Sequence, residues 1–230
     1  MKKSLLFLFI LYWLVLFTDC FLIINHYNEY RFYTKTLLVP LLLIAVYFSV
    51  ENTKHKRSGI LINIAFFFCF VGDVVTLNDT DAISFVSGLC SFLLAHILFI
   101  IFFYRLKRFT AKHRLFIFSA GISILAYISI LLFLIRVKVS NQNFGIPVTI
   151  YSIVLGIMLL CAINIINNRS LKRLASNYFI PGAVLFVLSD SILAYTKFGS
   201  SFLYDGVIVM VTYAAALFFL ATGAIRFLKK

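Results

Sequence analysis

Eight long apolar runs constrain this chain more than any other feature of its sequence. Each can form a helix across roughly 30 Å of hydrocarbon, which takes about 20 residues, and the connections between them are short. The runs are continuous rather than alternating, which excludes a transmembrane β-barrel. We therefore predict an all-α polytopic membrane bundle, a single transmembrane domain over residues 1–230, with eight helices at about 4–24, 34–50, 58–77, 82–104, 114–136, 146–167, 178–197 and 205–226.

The composition excludes a water-soluble fold. Of the 230 residues, 63% are hydrophobic and 13% are charged, whereas soluble domains carry about 25% charged residues. The net charge of +13 would suggest nucleic-acid binding in a soluble protein, but here the basic residues lie in short loops between apolar runs. We therefore expect a lipid bilayer as partner, no nucleic acid, and a location in the cell membrane. The oligomeric state stays open.

The loop charges predict the orientation of the bundle. With the N-terminus inside, 16 of the 21 Lys and Arg residues fall on cytoplasmic segments and 5 on the opposite side, as the positive-inside rule describes. The first apolar run follows Lys2 and Lys3, but no small-residue cleavage site comes after it, so we interpret it as a retained helix. Both termini are therefore predicted to be cytoplasmic.

Two aspartates lie within apolar runs, each directly after a small residue. Asp73 follows Gly72 in the third run, and Asp190 follows Ser189 in the seventh. At ~1.5 Å per helical residue, both lie at similar depth in the outer half of the membrane, on helices that run in the same direction. Because an ionisable side chain in hydrocarbon is costly, these carboxylates are candidates for a shared functional site.

Structural explanations for these residues stay open. Each aspartate could be capped by Ser, Thr or Tyr, or paired with Lys35, without a catalytic role. Lys35 lies near a helix end, from which a lysine commonly extends to the interface. Its alternative role is to hold a substrate phosphate or to act on a nearby Asp.

Three further polar residues are candidates with equally plain alternatives. His96 lies deeper than either Asp, so we expect no direct contact with Asp73 and give a packed histidine the same weight as a site residue. Tyr151 and Tyr213 fall in the outer half, where aromatic residues are common at the membrane interface. The other histidines and the four cysteines lack metal-ligand spacing, so no metal and no cofactor is predicted.

Several short motifs follow one another in an order that is typical of one family. They are Lys35-Thr36-Leu37-Leu38-Val39-Pro40, then Gly72-Asp73 with Leu77, Gly88 and Phe92 leading to His96, Tyr151, and the run from Gly182 to Asp190. From about the second helix to the eighth, the chain resembles the YhhN-like lysoplasmalogenase family of eight-helix membrane proteins. It departs from relatives at Ala214, Ala215 and Ala216, where they often carry a polar residue, which leaves Tyr213 as the site residue of the last helix.

The resemblance implies hydrolysis of the vinyl-ether bond of a lysoplasmalogen, giving a fatty aldehyde and a glycerophospho-base. Such a reaction needs a carboxylic acid to protonate the β-carbon and a carboxylate to stabilise the resulting oxocarbenium ion. Two close carboxylates in a medium of low dielectric can divide these roles. We predict Asp73 and Asp190 as the catalytic pair, leaving the acid unassigned, and Lys35, His96, Tyr151 and Tyr213 as residues that bind a lysophospholipid substrate.

Two other functions remain open. The same aspartates could bind a cation or relay protons in a secondary transporter, although no Pro or paired Gly beside them breaks the third or seventh run. A non-catalytic membrane scaffold would leave two similarly placed carboxylates unexplained. Aldehyde release in detergent, where no ion gradient exists, discriminates between these functions.

Overall fold

Eight helices long and apolar enough to cross a membrane make up the part of the chain described by a computed structural model, which covers residues 3–50, 53–78, 82–141 and 144–230. The regular structure over these residues is entirely helical. The eight helices are α1 (Lys3–Ile24), α2 (Arg31–Val50), α3 (Lys56–Val75), α4 (Ala82–Leu106), α5 (Arg114–Asn141), α6 (Gly145–Asn164), α7 (Lys172–Phe198) and α8 (Asp205–Leu228).

The predicted number and order of helices are confirmed, and several of their ends differ, most of all in α5 and α7. Helix α2 begins three residues earlier than predicted, α5 continues five residues beyond Arg136, and α7 begins six residues earlier, at Lys172. Apolarity marks only the part of a helix that lies in hydrocarbon. Backbone hydrogen bonding continues past charged residues at the membrane interface, where their side chains reach water.

Helix α7 contains a π-helical segment at Ala175–Phe179, immediately before Pro181. Proline has no backbone N–H to donate to the carbonyl four residues earlier, so a regular α-helical bond is missing at this point. The wider π turn accommodates that gap without ending the helix. The remainder of α7, Ile180–Phe198, is regular and carries Asp190.

Contacts between helix ends show that neighbouring helices alternate in direction. At one end, here called the upper end, Lys35 near the start of α2 bonds to Thr76 just after α3, and Phe85, Phe144 and Phe198 pack together. At the lower end, Lys230 donates to the carbonyl of Ser170. The two predicted aspartates therefore lie on helices that both run from the lower to the upper end.

Five helices form a closed ring around the interior of the bundle. Going round it, α3 packs on α4, α4 on α6, α6 on α7, α7 on α8, and α8 on α3. Helix α2 lies against α3 and α8, α1 lies outside α2 and α8, and α5 lies outside α6 and α7. Helices α3 and α7 are therefore linked through α8, which packs against both.

Glycines at two ring contacts allow the helices to approach closely. A Cβ atom at Gly72 would lie 2.8 Å from Cζ of Phe92 on α4, and one at Gly182 would lie 3.1 Å from the backbone oxygen of Ala216 on α8. The second distance is to main chain, which cannot move aside by a rotamer change. These glycines set the α3–α4 and α7–α8 spacing and so determine where the site residues meet.

Large apolar side chains cover the outside of the bundle. Exposed Leu, Ile and Phe side chains occur on all eight helices, and α5 is the least buried of them. A surface of this kind is stable against lipid tails and not against water. The protein is therefore a multi-pass membrane protein.

We expect a reporter fused after Lys230 to be active only in the cytoplasm, because eight spans return the chain to the side on which it began and the basic loops favour the inside. A fusion truncated after Gly199, between α7 and α8, should report the opposite side. External activity of the Lys230 fusion would contradict the orientation.

Candidate functional site

Asp73 lies one turn before the upper end of α3 and is almost completely buried, with 2% of its surface exposed. The hydroxyl of Tyr213 on α8 donates to Oδ2 of Asp73 at 2.9 Å. The preceding residue, Gly72, packs directly on the ring of Phe92. The small residue before the aspartate thus fixes α3 against α4, and the carboxylate points to α8.

Asp190 lies on α7 and joins helices α4 and α6. The hydroxyl of Tyr151 on α6 donates to Oδ2 of Asp190 at 2.5 Å. Nε2 of His96 on α4 lies 3.0 Å from the same hydroxyl oxygen and 3.4 Å from the same carboxylate oxygen. The residue before Asp190 is again a contact to a neighbouring helix, since Ser189 donates to the carbonyl of Val209 on α8 at 3.0 Å.

The hydrogen bonds around Asp190 assign the proton on His96. The single hydroxyl proton of Tyr151 is directed at Asp190, so the tyrosine oxygen can only accept from the imidazole. Nε2 of His96 must therefore carry hydrogen. Nδ1 is buried and finds no hydrogen-bond partner in the described part of the chain, so a hydrogen there would be an unsatisfied donor in an apolar environment.

An aromatic wall connects the two carboxylate sites. The ring of Tyr213 packs edge-on against Phe92 at 6.0 Å and against Phe186 at 5.5 Å, and Phe186 packs on His96 at 4.6 Å between ring centroids. Cys69, one turn before Asp73 and fully buried, lies within electrostatic range of both carboxylates. The two sites are therefore parts of one buried polar cluster, surrounded by the five-helix ring.

The two sites are offset along α4. Asp73 lies beside Gly72, which contacts Phe92, whereas Asp190 meets α4 at His96, four residues further from the upper end. Four helical residues correspond to about 6 Å. The depths of the two aspartates, predicted to be similar, therefore differ by about one helical turn. Asp190 is the deeper of the two and contacts His96.

Lys35 bonds to the upper end of α3, just beyond Asp73. Its Nζ donates to the hydroxyl oxygen of Thr76 at 3.1 Å, and that hydroxyl donates to the backbone oxygen of Gly72 at 2.9 Å. Its ammonium group is thus close enough to the Asp73 carboxyl for electrostatic interaction. Whether Lys35 acts on this aspartate, holds a phosphate or extends to the interface stays a prediction.

A narrow cavity of about 50 Å³ lies beside Asp190. Thr76, Phe92 and Tyr151 line it together with apolar residues of α4 to α7. The Asp190 side chain is 12% exposed, and this cavity is the space that it faces. The volume is enough for a few water molecules next to the carboxylate.

Five of the six residues predicted from the sequence lie in this cluster, in two groups: Asp73 with Tyr213, and Asp190 with Tyr151 and His96. The sixth, Lys35, lies at the upper edge of the cluster, bonded to Thr76. The two tyrosines are buried partners of carboxylates and not members of an aromatic belt at the interface. Which of the six act on a substrate remains a prediction.

A third buried carboxylate was missed in the sequence. Asp19 on α1 is fully buried, accepts a hydrogen bond from Thr34 at 2.6 Å, and lies 3.6 Å from Nε of Arg31. Its charge acts on Asp73. The same signal that identified Asp73, an ionisable residue inside an apolar run, would have identified Asp19 as well.

Fold and site together define a polytopic helical membrane protein with a buried cluster of tyrosine-bonded carboxylates inside a ring of helices. The chain belongs to the YhhN family, whose sequence profile matches residues 30–224. That range includes every residue of the cluster described above except Asp19. Among curated proteins and among solved structures, none matches the chain.

Each tyrosine should be energetically coupled to its own aspartate. We expect a double-mutant cycle of Tyr213→Phe with Asp73→Asn to give a coupling free energy of about 1–3 kcal/mol in thermal or denaturant unfolding. The reason is that in the Tyr213→Phe single variant the buried Asp73 carboxylate loses its hydrogen-bond donor. Tyr151→Phe with Asp190→Asn should behave alike. The crossed cycles, Tyr213 with Asp190 and Tyr151 with Asp73, serve as controls, and coupling there as large as in the direct pairs would contradict the two-group arrangement.

Proposed function

We propose that this protein is a membrane-embedded hydrolase that cleaves the vinyl-ether bond of a lysoplasmalogen in the cell membrane. Membership of the YhhN family and the resemblance of its motifs to lysoplasmalogenases support this function. The observation that carries it is a pair of aspartates in one cluster, of which Asp73 is buried and Asp190 is partly buried and faces a cavity large enough for water.

The reaction places definite demands on the site. The β-carbon of the vinyl ether takes a proton from a carboxylic acid, which converts the ether into an oxocarbenium ion. Water adds to the carbon next to oxygen and gives a proton to a carboxylate, forming a hemiacetal. The hemiacetal gives its hydroxyl proton to the carboxylate that had been the acid and breaks its C–O bond to the glycerol. The glycerol oxygen takes the proton from the second carboxyl group and leaves as the alcohol, and a fatty aldehyde remains. One water is consumed, and both carboxyl groups return to their starting state.

The surroundings of the two aspartates suggest how they share these steps. Oδ2 of Asp190 is approached by two donors, Tyr151 and His96, and the side chain faces the cavity. Two donors stabilise a negative charge, so Asp190 suits the carboxylate that stabilises the cation and activates water. Asp73 is more deeply buried and, among the residues that the structure describes, has one tyrosine donor, which suits the acid.

The other four residues then have positioning and binding roles. Tyr213 orients the carboxyl of Asp73, while Tyr151 and His96 orient that of Asp190. Lys35 lies at the Thr76 side of the cavity, where its ammonium can bind the phosphate of a lysophospholipid whose ether bond lies lower down. No cofactor is needed for any of these steps.

Asp73→Asn and Asp190→Asn should each abolish aldehyde release by the purified protein in detergent. General acid catalysis contributes about 10²–10⁴-fold, so a loss of at least that size is expected for the acid. Asn keeps the volume of the side chain, and an unchanged unfolding temperature or elution profile would show that the fold is intact. Near-normal turnover in either variant would remove that aspartate from the mechanism.

The pH profile of the residual activity distinguishes the two roles. If Asp73 is the acid, the residual rate of Asp190→Asn should still fall at high pH, where the acid loses its proton, and that of Asp73→Asn should not. A wild-type protein that releases no aldehyde would contradict hydrolysis itself and leave the cation- or proton-coupled transporter. Helices α3 and α7 are continuous at Asp73 and Asp190, whereas transporters commonly place such sites at interrupted helices.

Lys35→Ala should act mainly on KM, because the lysine is proposed to bind phosphate and not the reacting bond. The matched control is Arg136→Ala, which removes a basic side chain predicted to lie on the same side of the membrane, where it packs on Phe133. A vinyl-ether glycerol without phosphate should be cleaved equally by wild type and Lys35→Ala. If Lys35→Ala lost activity equally on both substrates, Lys35 would act on Asp73 and not on the phosphate.

A further inference from the structure

A second, larger space lies between α5, α6 and α7, and no step of the proposed reaction uses it. This α5–α7 cleft has a volume of about 230 Å³. Its walls are almost entirely apolar and include Ile124, Tyr127, Ile128, Leu159, Val184 and Leu188. Because α5 is the peripheral and least buried helix, the cleft lies at the lipid-facing side of the ring.

The cleft adjoins the cavity beside Asp190. Four residues line both spaces: Leu131, Ser152, Leu155 and Ser191. The cleft and the cavity that Asp190 faces are therefore separated by these side chains alone. A cleft between α2 and α3, lined by Leu43, Tyr47 and Phe67, shares no residue with the Asp190 cavity.

Two of the four shared residues are serines, and their hydroxyl groups already have hydrogen-bond partners. Ser152 donates to the carbonyl of Val148 at 2.8 Å, and Ser191 donates to that of Val187 at 2.7 Å, both within their own helices. The hydroxyls therefore offer little to a polar ligand, and what the serines contribute is their small size. A boundary made of two small residues and two leucines fits an alkyl chain and not a headgroup.

We propose that the α5–α7 cleft holds the alkyl chain of the lipid substrate, with the chain reaching the cleft sideways from the bilayer. This inference rests on the proposed function and adds the path of the chain. The vinyl-ether carbons then lie at the Asp190 cavity, between the chain in the cleft and the phosphate near Lys35. The cavity of about 50 Å³ must widen for the glycerol, and α5, which packs on α6 and α7 from outside, is the helix whose displacement widens it.

The test is photolabelling of the detergent-solubilised full chain with a saturated-ether lysophospholipid that carries a diazirine at the end of its chain. This probe has no vinyl bond and is not hydrolysed, so labelling does not depend on turnover. Peptides from α5, α6 and α7 should be labelled, and their labelling should disappear when an excess of the same ether lipid without diazirine is added as competitor. Labelling of the α2–α3 cleft, which measures contact with bulk lipid and detergent, should persist.

A matched pair of variants blocks the connection. Ser152→Phe fills the boundary between cleft and cavity and should lose the competable labelling, whereas Ser152→Ala keeps the space and should retain it. Two results with the wild-type protein would overturn the inference: labelling of the α2–α3 cleft that the competing lipid removes, or no labelling that the competing lipid removes at any position. These results decide the question even if Ser152→Phe does not fold.

The outcomes separate this inference from the proposed function. Competable labelling of the α5–α7 cleft in a protein that releases no aldehyde would uphold the chain site and refute the hydrolysis. Aldehyde release by a protein whose competable label lies outside the cleft would refute the chain site alone.

Discussion

A buried carboxylate in hydrocarbon must find its hydrogen-bond donors within the protein, and the interior of this bundle is arranged around that requirement. Lipid tails offer no donors, so each polar group inside the membrane is paired by a neighbouring helix or remains costly. Asp73 takes its donor from α8, Asp190 from α6 and α4, and Asp19 from α2. These long-range bonds join helices that apolar packing alone would leave free to rotate against each other.

The sequence predicted the helices well because length and apolarity are local properties, and it predicted the partners of the aspartates less well because these depend on rotation and tilt. The rise per residue places His96 below both aspartates but does not say which way its side chain points around the helix axis. The packing of α4 against α6 and of α6 against α7 turns the imidazole towards Asp190. Tyr151 and Tyr213 could equally have faced lipid. The ends of α5 and α7 were misplaced because charged residues end the apolar run without ending the helix.

Two of the three alanines that follow Tyr213 have a packing explanation. Ala214 and Ala216 are fully buried. The carbonyl of Ala214 accepts a hydrogen bond from Tyr12 on α1 at 2.8 Å, and that of Ala216 lies against Gly182 on α7. Small side chains at these positions let α1 and α7 approach α8 from two sides. The short distance between α7 and α8 keeps Asp190 on α7 beside the same aromatic wall as Tyr213 on α8, whose hydroxyl donates to Asp73.

The lipid solvent also determines what a chain-binding cleft can contribute. An alkyl chain that leaves bulk lipid for an apolar cleft gains almost nothing from the hydrophobic effect, because lipid tails are as apolar as the Leu and Ile side chains that replace them. The α5–α7 cleft therefore contributes position rather than affinity. On the proposed function, a chain held there would fix the first carbons after the ether oxygen at the height of Asp190, and the binding energy would come from the polar end near Lys35. Filling the cleft should accordingly reduce turnover more than it reduces the affinity for the headgroup.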